Sequence, residues 1–136
     1  VLAMRTEMAS HKTAKGPLDA KLLRGGLVDL EFLVHFLQLR DRTALTPDLS
    51  VALKDLAETG LVDEDLREAH RFLTRLLVGA RLLAPDQQPP GGEARQVLAR
   101  LVRCDDFPAV LAALGRARAC VADHWARLFN IELEIT

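Results

Sequence analysis

The residues of this chain best placed to do chemistry lie between Lys21 and Arg40, in the segment KLLRGGLVDLEFLVHFLQLR. Gly25 and Gly26 stand just before a helical stretch. Paired glycines there permit close backbone approach and free amides that can meet an anion, although the same pair also makes an ordinary tight turn. Neither G-x-G-x-x-G nor G-K-[ST] is present, so the spacing fits neither a dinucleotide fingerprint nor a P-loop. Wound at roughly 100° per residue, Glu31, His35, Gln38 and Arg42 fall in a sector about 60° wide, with Asp29 and Arg40 roughly opposite. Glu31 and His35 have the i, i+4 spacing of a metal pair. Two ligands are too few, and no third His or Cys has matching spacing, so no metal is expected.

The rest of that helix is apolar: Leu27, Val28, Leu30, Phe32, Leu33, Val34, Phe36, Leu37 and Leu39. A helix apolar on nearly all sides is expected to be buried on nearly all sides. Its polar stripe must then pair inside the fold or face something beyond this chain, because a buried unpaired polar group costs about 1–3 kcal/mol. Asp29 reads either as a first-turn acid favoured by the helix dipole or as a residue at a domain interface. For Glu31 the plain reading is a buried hydrogen bond to a neighbouring helix or to the Gly-Gly loop.

Helical periodicity runs through almost the whole chain, and no segment alternates over a strand length. Val1 to about Thr13 reads as a first helix, followed by a loop through Ala14, Gly16 and Pro17, and Leu27–Arg40 as a second. Thr46 followed by Pro47 is the expected N-cap of a third, ending at Gly60. Asp63, Glu64 and Asp65 open a fourth, whose stripe Leu66, Ala69, Leu73, Leu76, Ala80 and Leu83 has bundle spacing. The stretch from Pro85 to Gly92 looks loose. A fifth helix spans Glu93 to Arg103. Asp105 and Asp106 cap a long last one, with a core stripe of Val110, Leu114, Ala117, Val121 and Leu128 and a missing step for His124 or Trp125. His70 and His124 otherwise read as surface or interface residues. The expected fold is all-α, a bundle of about six helices in a single domain.

Composition excludes several functions. The 136 residues carry 18 Lys and Arg against 19 Asp and Glu, with no Tyr, one Trp and five Phe. There is neither the basic patch nor the aromatic platform of a nucleic-acid binder, so no nucleic acid is expected. No apolar run reaches the ~18 residues of a membrane span, so no membrane partner is expected. Cys104 and Cys120 have no CxxC spacing and read as reduced thiols in a cytoplasmic protein.

The pattern K-x-x-x-G-G-[IL]-x-D-[IL]-E-F, followed by an apolar stretch and Q-L-R, resembles the helical domain of glutamine synthetase adenylyltransferases. Lys21, Gly25, Gly26, Leu27, Asp29, Leu30, Glu31, Phe32, Gln38, Leu39 and Arg40 carry the match, and Val28-Asp29 resembles the adenylylating, C-terminal half. Leu18-Asp19-Ala20-Lys21 is similar to the Asp-x-Lys segment before the family's glycines. Leu23 and His35 depart from the family's usual Gly and Gln, and Leu77, Val78 and Gly79 replace a Glu and a His or Asn. Those departures put any substrate role of that helix in doubt.

The resemblance implies a division of the chain. Residues 1–14 would end a linker helix from an upstream nucleotidyltransferase domain, 15–26 would be a Gly-containing loop, and 27–136 the bundle. It implies that Lys21, Gly25, Gly26, Asp29, Glu31, His35 and Gln38 line a cleft or domain interface. It also implies that ATP and magnesium belong to the full-length enzyme, on a G-S-x-D-x-D carboxylate motif absent here. This chain alone is therefore expected to have no catalytic residue, no cofactor and no activity. The implied partners are the upstream domain, glutamine synthetase and, through other domains of the enzyme, the PII signal protein. The alternatives are a related PII uridylyltransferase and a helical interaction module without nucleotide chemistry.

Overall fold

The computed structural model describes residues 14–129, in which five α-helices and no strand occur. They are α1 (Leu27–Asp41), α2 (Leu49–Glu58), α3 (Glu64–Leu83), α4 (Glu93–Leu101) and α5 (Phe107–Phe129). The helix expected over Val1 to Thr13 lies outside the described residues; the other five stand where the periodicity puts them.

The long helices α3 and α5 share the most extensive interface, and α1, α2 and α4 close around it. The core is built from the apolar stripes. Leu66, Ala69, Leu73, Leu76 and Ala80 of α3 are all buried, as are Val110, Leu114, Ala117 and Val121 of α5. Both His124 and Trp125 fill the missing step of α5, so His124 is not a surface residue.

Local chemistry sets the helix ends. Asp106 Oδ1 accepts the Ala109 amide at 2.8 Å and starts α5 as an N-cap. The start of α2 differs from expectation. Asp48 is the cap, accepting the amides of Ser50 and Val51, while the Thr46 hydroxyl accepts the Asp48 amide at 3.3 Å. Pro47 thus precedes the cap instead of occupying the first helical turn. Gly60, with φ of +80°, follows the end of α2 in the left-handed conformation that glycine adopts at little cost.

Two connections are more ordered than their composition suggests. Leu18 and Ala20 lie in the segment before α1, yet both are fully buried in the core. The Leu18 amide donates to the Gln87 carbonyl at 3.0 Å, and Gln88 Nε2 to the Lys15 carbonyl at 3.2 Å. The stretch expected to be loose is therefore stapled, in part, to the segment that enters α1.

Gly79 explains part of the departure at residues 77–79. A Cβ there would lie 2.8 Å from Leu98 Cδ1, so glycine lets the buried Leu98 of α4 press against α3. Leu77 packs on the core and Val78 faces outward. Leu77 and Gly79 thus serve packing.

Candidate functional site

The turn that enters α1 brings the Gly-Gly pair, Asp19, Asp29 and the middle of α5 together. Asp29, 1% exposed, accepts the Gly25 amide on Oδ2 at 2.7 Å. The Gly26 amide donates to the Leu23 carbonyl, the Leu27 amide to Ala20 and the Val28 amide to Lys21, at 2.8, 2.8 and 3.1 Å. Every amide from Gly25 to Val28 thus has a partner within the chain. Of the two readings of the glycine pair, the structure has the ordinary tight turn: backbone carbonyls and the Asp29 carboxylate occupy the amides that an anion would need.

The glycines are required by contact. Gly25 has φ of +78°, and a Cβ on it would sit 2.6 Å from the carbonyl oxygen of Arg118 in α5. A Cβ on Gly26 would meet the carbonyl oxygens of Ala20 and Leu23. The turn lies flush against α5 on one side and its own preceding segment on the other. Arg118 closes the assembly, its Nε donating to the Arg24 carbonyl at 2.7 Å. Burial lowers the Arg118 pKa, and the charge of Asp29 works in the opposite direction.

Asp19, 4% exposed, repeats the logic one turn earlier. It accepts the Lys15 amide at 3.0 Å and the Leu22 amide at 3.1 Å. The Asp of the Asp-x-Lys segment thereby ties down the approach to the glycines.

The expected site residues divide into two groups. Gly25, Gly26, Asp29 and Gln38 are buried and hold backbone in place. Gln38 Nε2 donates to the carbonyls of Ala44 (2.6 Å) and Thr46 (3.1 Å), pinning the loop after α1. Lys21, Glu31 and His35 are exposed, and so is Leu39 at 76%. The buried bond expected of Glu31 is made instead by Asp29, and α1 is not buried on nearly all sides. Its inner face carries Leu30, Leu33, Val34 and Leu37; its outer face carries Glu31, His35 and Leu39.

His70 of α3 is half-buried and lies in the field of Asp48, Arg71 and Glu31. Burial depresses its pKa most; Asp48 and Glu31 oppose that and Arg71 adds to it. No group of His, Cys, Asp and Glu able to hold a metal occurs among the described residues, and no described helix is long and apolar enough to cross a membrane.

Sequence reasoning missed Arg118, and it read His124 both as a candidate for the core step of α5 and as a surface or interface residue. The Asp63 amide donates to His124 Nε2 at 3.2 Å, and Nδ1 lies 2.9 Å from the Cys120 carbonyl. That pairing fits a ring carrying its proton on Nδ1. Arg127 bonds Asp63 Oδ2 at 3.0 Å, so the N-terminus of α3 is clasped to the end of α5. The Asp63–His124, Asp63–Arg127 and Arg24–Arg118 contacts join residues 61, 64 and 94 positions apart, distances over which helical periodicity carries no signal. Cys104 and Cys120 are free thiols.

A protein family described as GlnD PII-uridylyltransferase matches residues 2–129. Among curated proteins the chain is similar to several named bifunctional glutamine synthetase adenylyltransferase/adenylyl-removing enzyme. The one from Brucella suis biovar 1 (strain 1330) is 34% identical over 119 residues, 79% of this chain and 12% of that protein. The one from Chromobacterium violaceum is 42% identical over 92 residues, 60% of this chain and 10% of that protein. The one from Xanthomonas campestris pv. campestris (strain B100) is 32% identical over 145 residues, 98% of this chain and 15% of that protein. The chain thus spans 10–15% of the length of these relatives. No solved structure matches it.

Proposed function

The chain belongs to the GlnD PII-uridylyltransferase family, and from that premise we propose that it serves as the helical domain beside the adenylylating catalytic domain of a glutamine synthetase adenylyltransferase. The longer enzyme would transfer AMP from ATP to a tyrosine of glutamine synthetase in the cytoplasm, in response to the PII signal protein. ATP and magnesium would be held by carboxylates of the upstream domain, and this domain would wall the cleft.

The observation that carries this reading is similarity over nearly the whole chain, 98% of it in the Xanthomonas case, to relatives that share that name. The site is compatible with it. Buried Asp29, Gly25, Gly26 and Gln38 set α1, leaving Lys21, Glu31 and His35 exposed to meet the catalytic domain. The family description keeps PII uridylyl transfer as the second reading.

Labelled-nucleotide transfer by the longer protein tests both. AMP appearing on glutamine synthetase in the presence of ATP and magnesium supports the first reading, with the present chain silent alone. UMP appearing on PII instead supports the second. Transfer of neither returns the chain to a helical interaction module.

A further inference from the structure

We propose that Arg118 is a positioning residue for the AMP transfer suggested above, holding the turn that carries Lys21 and leads into α1 at a fixed angle to the bundle; this rests on that reading. Arg118 lies midway along α5, between the buried Ala117 and Val121, and it meets the turn in three ways. Its Nε donates to the Arg24 carbonyl at 2.7 Å. Burial lowers the pKa of its guanidinium, and the charge of buried Asp29, whose Oδ2 holds the Gly25 amide, works against that. Its own backbone carbonyl is the surface on which Gly25 rests.

The turn is therefore fixed to α5 by one residue, whose side chain holds the Arg24 carbonyl and whose backbone carbonyl backs Gly25. Gly25 in the left-handed region is the natural pivot when that hold is removed. Removing the guanidinium deprives the Arg24 carbonyl of a donor and Asp29 of a compensating charge. The Arg24 carbonyl is then no longer tied to α5, and exposed Lys21 shifts with the turn at the entry to α1. Arg118 touches no reacting atom in this account. It acts through geometry, and misplacement by about 1 Å far from the chemistry costs on the order of 100-fold in rate.

The test uses the full-length enzyme with Arg118→Gln, Arg118→Lys, Asp29→Asn and the Arg118→Gln/Asp29→Asn double variant. The readouts are kcat, KM for ATP and the fraction folded. Arg118→Gln should lower kcat per folded enzyme by ten- to a hundredfold, with KM for ATP within about twofold. Arg118→Lys should recover part of the loss, because it keeps charge near Asp29 without the rigid fork. The double variant should be little slower than Arg118→Gln, since both changes release one turn. Wild-type kcat in Arg118→Gln, or losses that multiply in the double variant, would overturn the proposal. Should Arg118→Gln fail to fold, a wild-type kcat in Arg118→Lys overturns it and a reduced one supports it. A wild-type enzyme that transfers no AMP to glutamine synthetase would sink the functional reading, and this one with it.

Discussion

The Asp29 carboxylate lies 2.7 Å from the amide nitrogen of Gly25, and both residues are buried. That bond turns a flexible Gly-Gly pair into a fixed entry to α1. Asp29→Ala would leave the Gly25 amide buried without an acceptor, at a cost of about 1–3 kcal/mol. Asp29→Asn keeps an acceptor and should cost less. Urea melts of the two variants give the comparison, and equal losses would mean that charge, not the bond, holds the turn.

The same turn makes a sharp claim about the glycines. Gly25→Ala places a methyl against the Arg118 backbone at positive φ, and Gly26→Ala against two carbonyl oxygens. Neither neighbour is a flexible side-chain end, so each change should destabilise by about 1–3 kcal/mol, the usual cost of overpacking. Thermal melts within a few tenths of a kcal/mol of wild type would show that the turn relaxes freely.

Leu30 is fully buried on α1 and Leu37 nearly so. Leu30→Ala and Leu37→Ala should each cost about 2–5 kcal/mol. Leu39, 76% exposed on the outer face, should tolerate alanine. Chemical denaturation of all three distinguishes the faces, and a costly Leu39→Ala would place the core elsewhere.

These faces show what was legible in the sequence. Periodicity located all five described helices, because a 3.6-residue repeat is a local signal. Leu66, Ala69, Leu73, Leu76 and Ala80 turned out buried, and Asp106 and Gly60 mark their helix ends as read. The surroundings of the site were less legible. Leu18 and Ala20 reach the core from an aperiodic segment, and Arg118 reaches Arg24 across 94 positions. Asp48 displaced Thr46 as the cap because its carboxylate accepts two amides at once. Along α1, an apolar outer residue such as Leu39 looks the same in sequence as an inner one.

His70 predicts a pH dependence. Burial lowers its pKa in the folded state, so between that value and the ordinary one near 6.5 the unfolded chain binds more protons. His70 should therefore add stability above pH 6.5 that is lost as pH falls through the ordinary pKa towards the lowered one. Stability measured from pH 7.5 to 5 should fall less steeply in His70→Gln than in wild type. Parallel curves would remove His70 from the account.

Burial pushes the Cys120 thiol up to about 11, with Asp65, Asp123 and Asp63 adding to the effect. At pH 8 only about one molecule in a thousand would carry the thiolate that reacts. Iodoacetamide labelling of Cys120 should be far slower in the folded chain than after unfolding in urea. Equal rates would contradict the burial of this face of α5.

The outer face of α1 bears the central claim, that Glu31 meets the catalytic domain. Glu31 is exposed, so Glu31→Gln should leave the melting curve of the full-length enzyme unchanged. The same change should slow AMP transfer to glutamine synthetase tenfold or more, about 1.4 kcal/mol in the barrier. Steady-state kinetics on that one variant, beside its melt, is the most direct test. A slowed, fully folded enzyme is the predicted result, and a wild-type rate would reduce the motif around Glu31 to a device for packing the bundle.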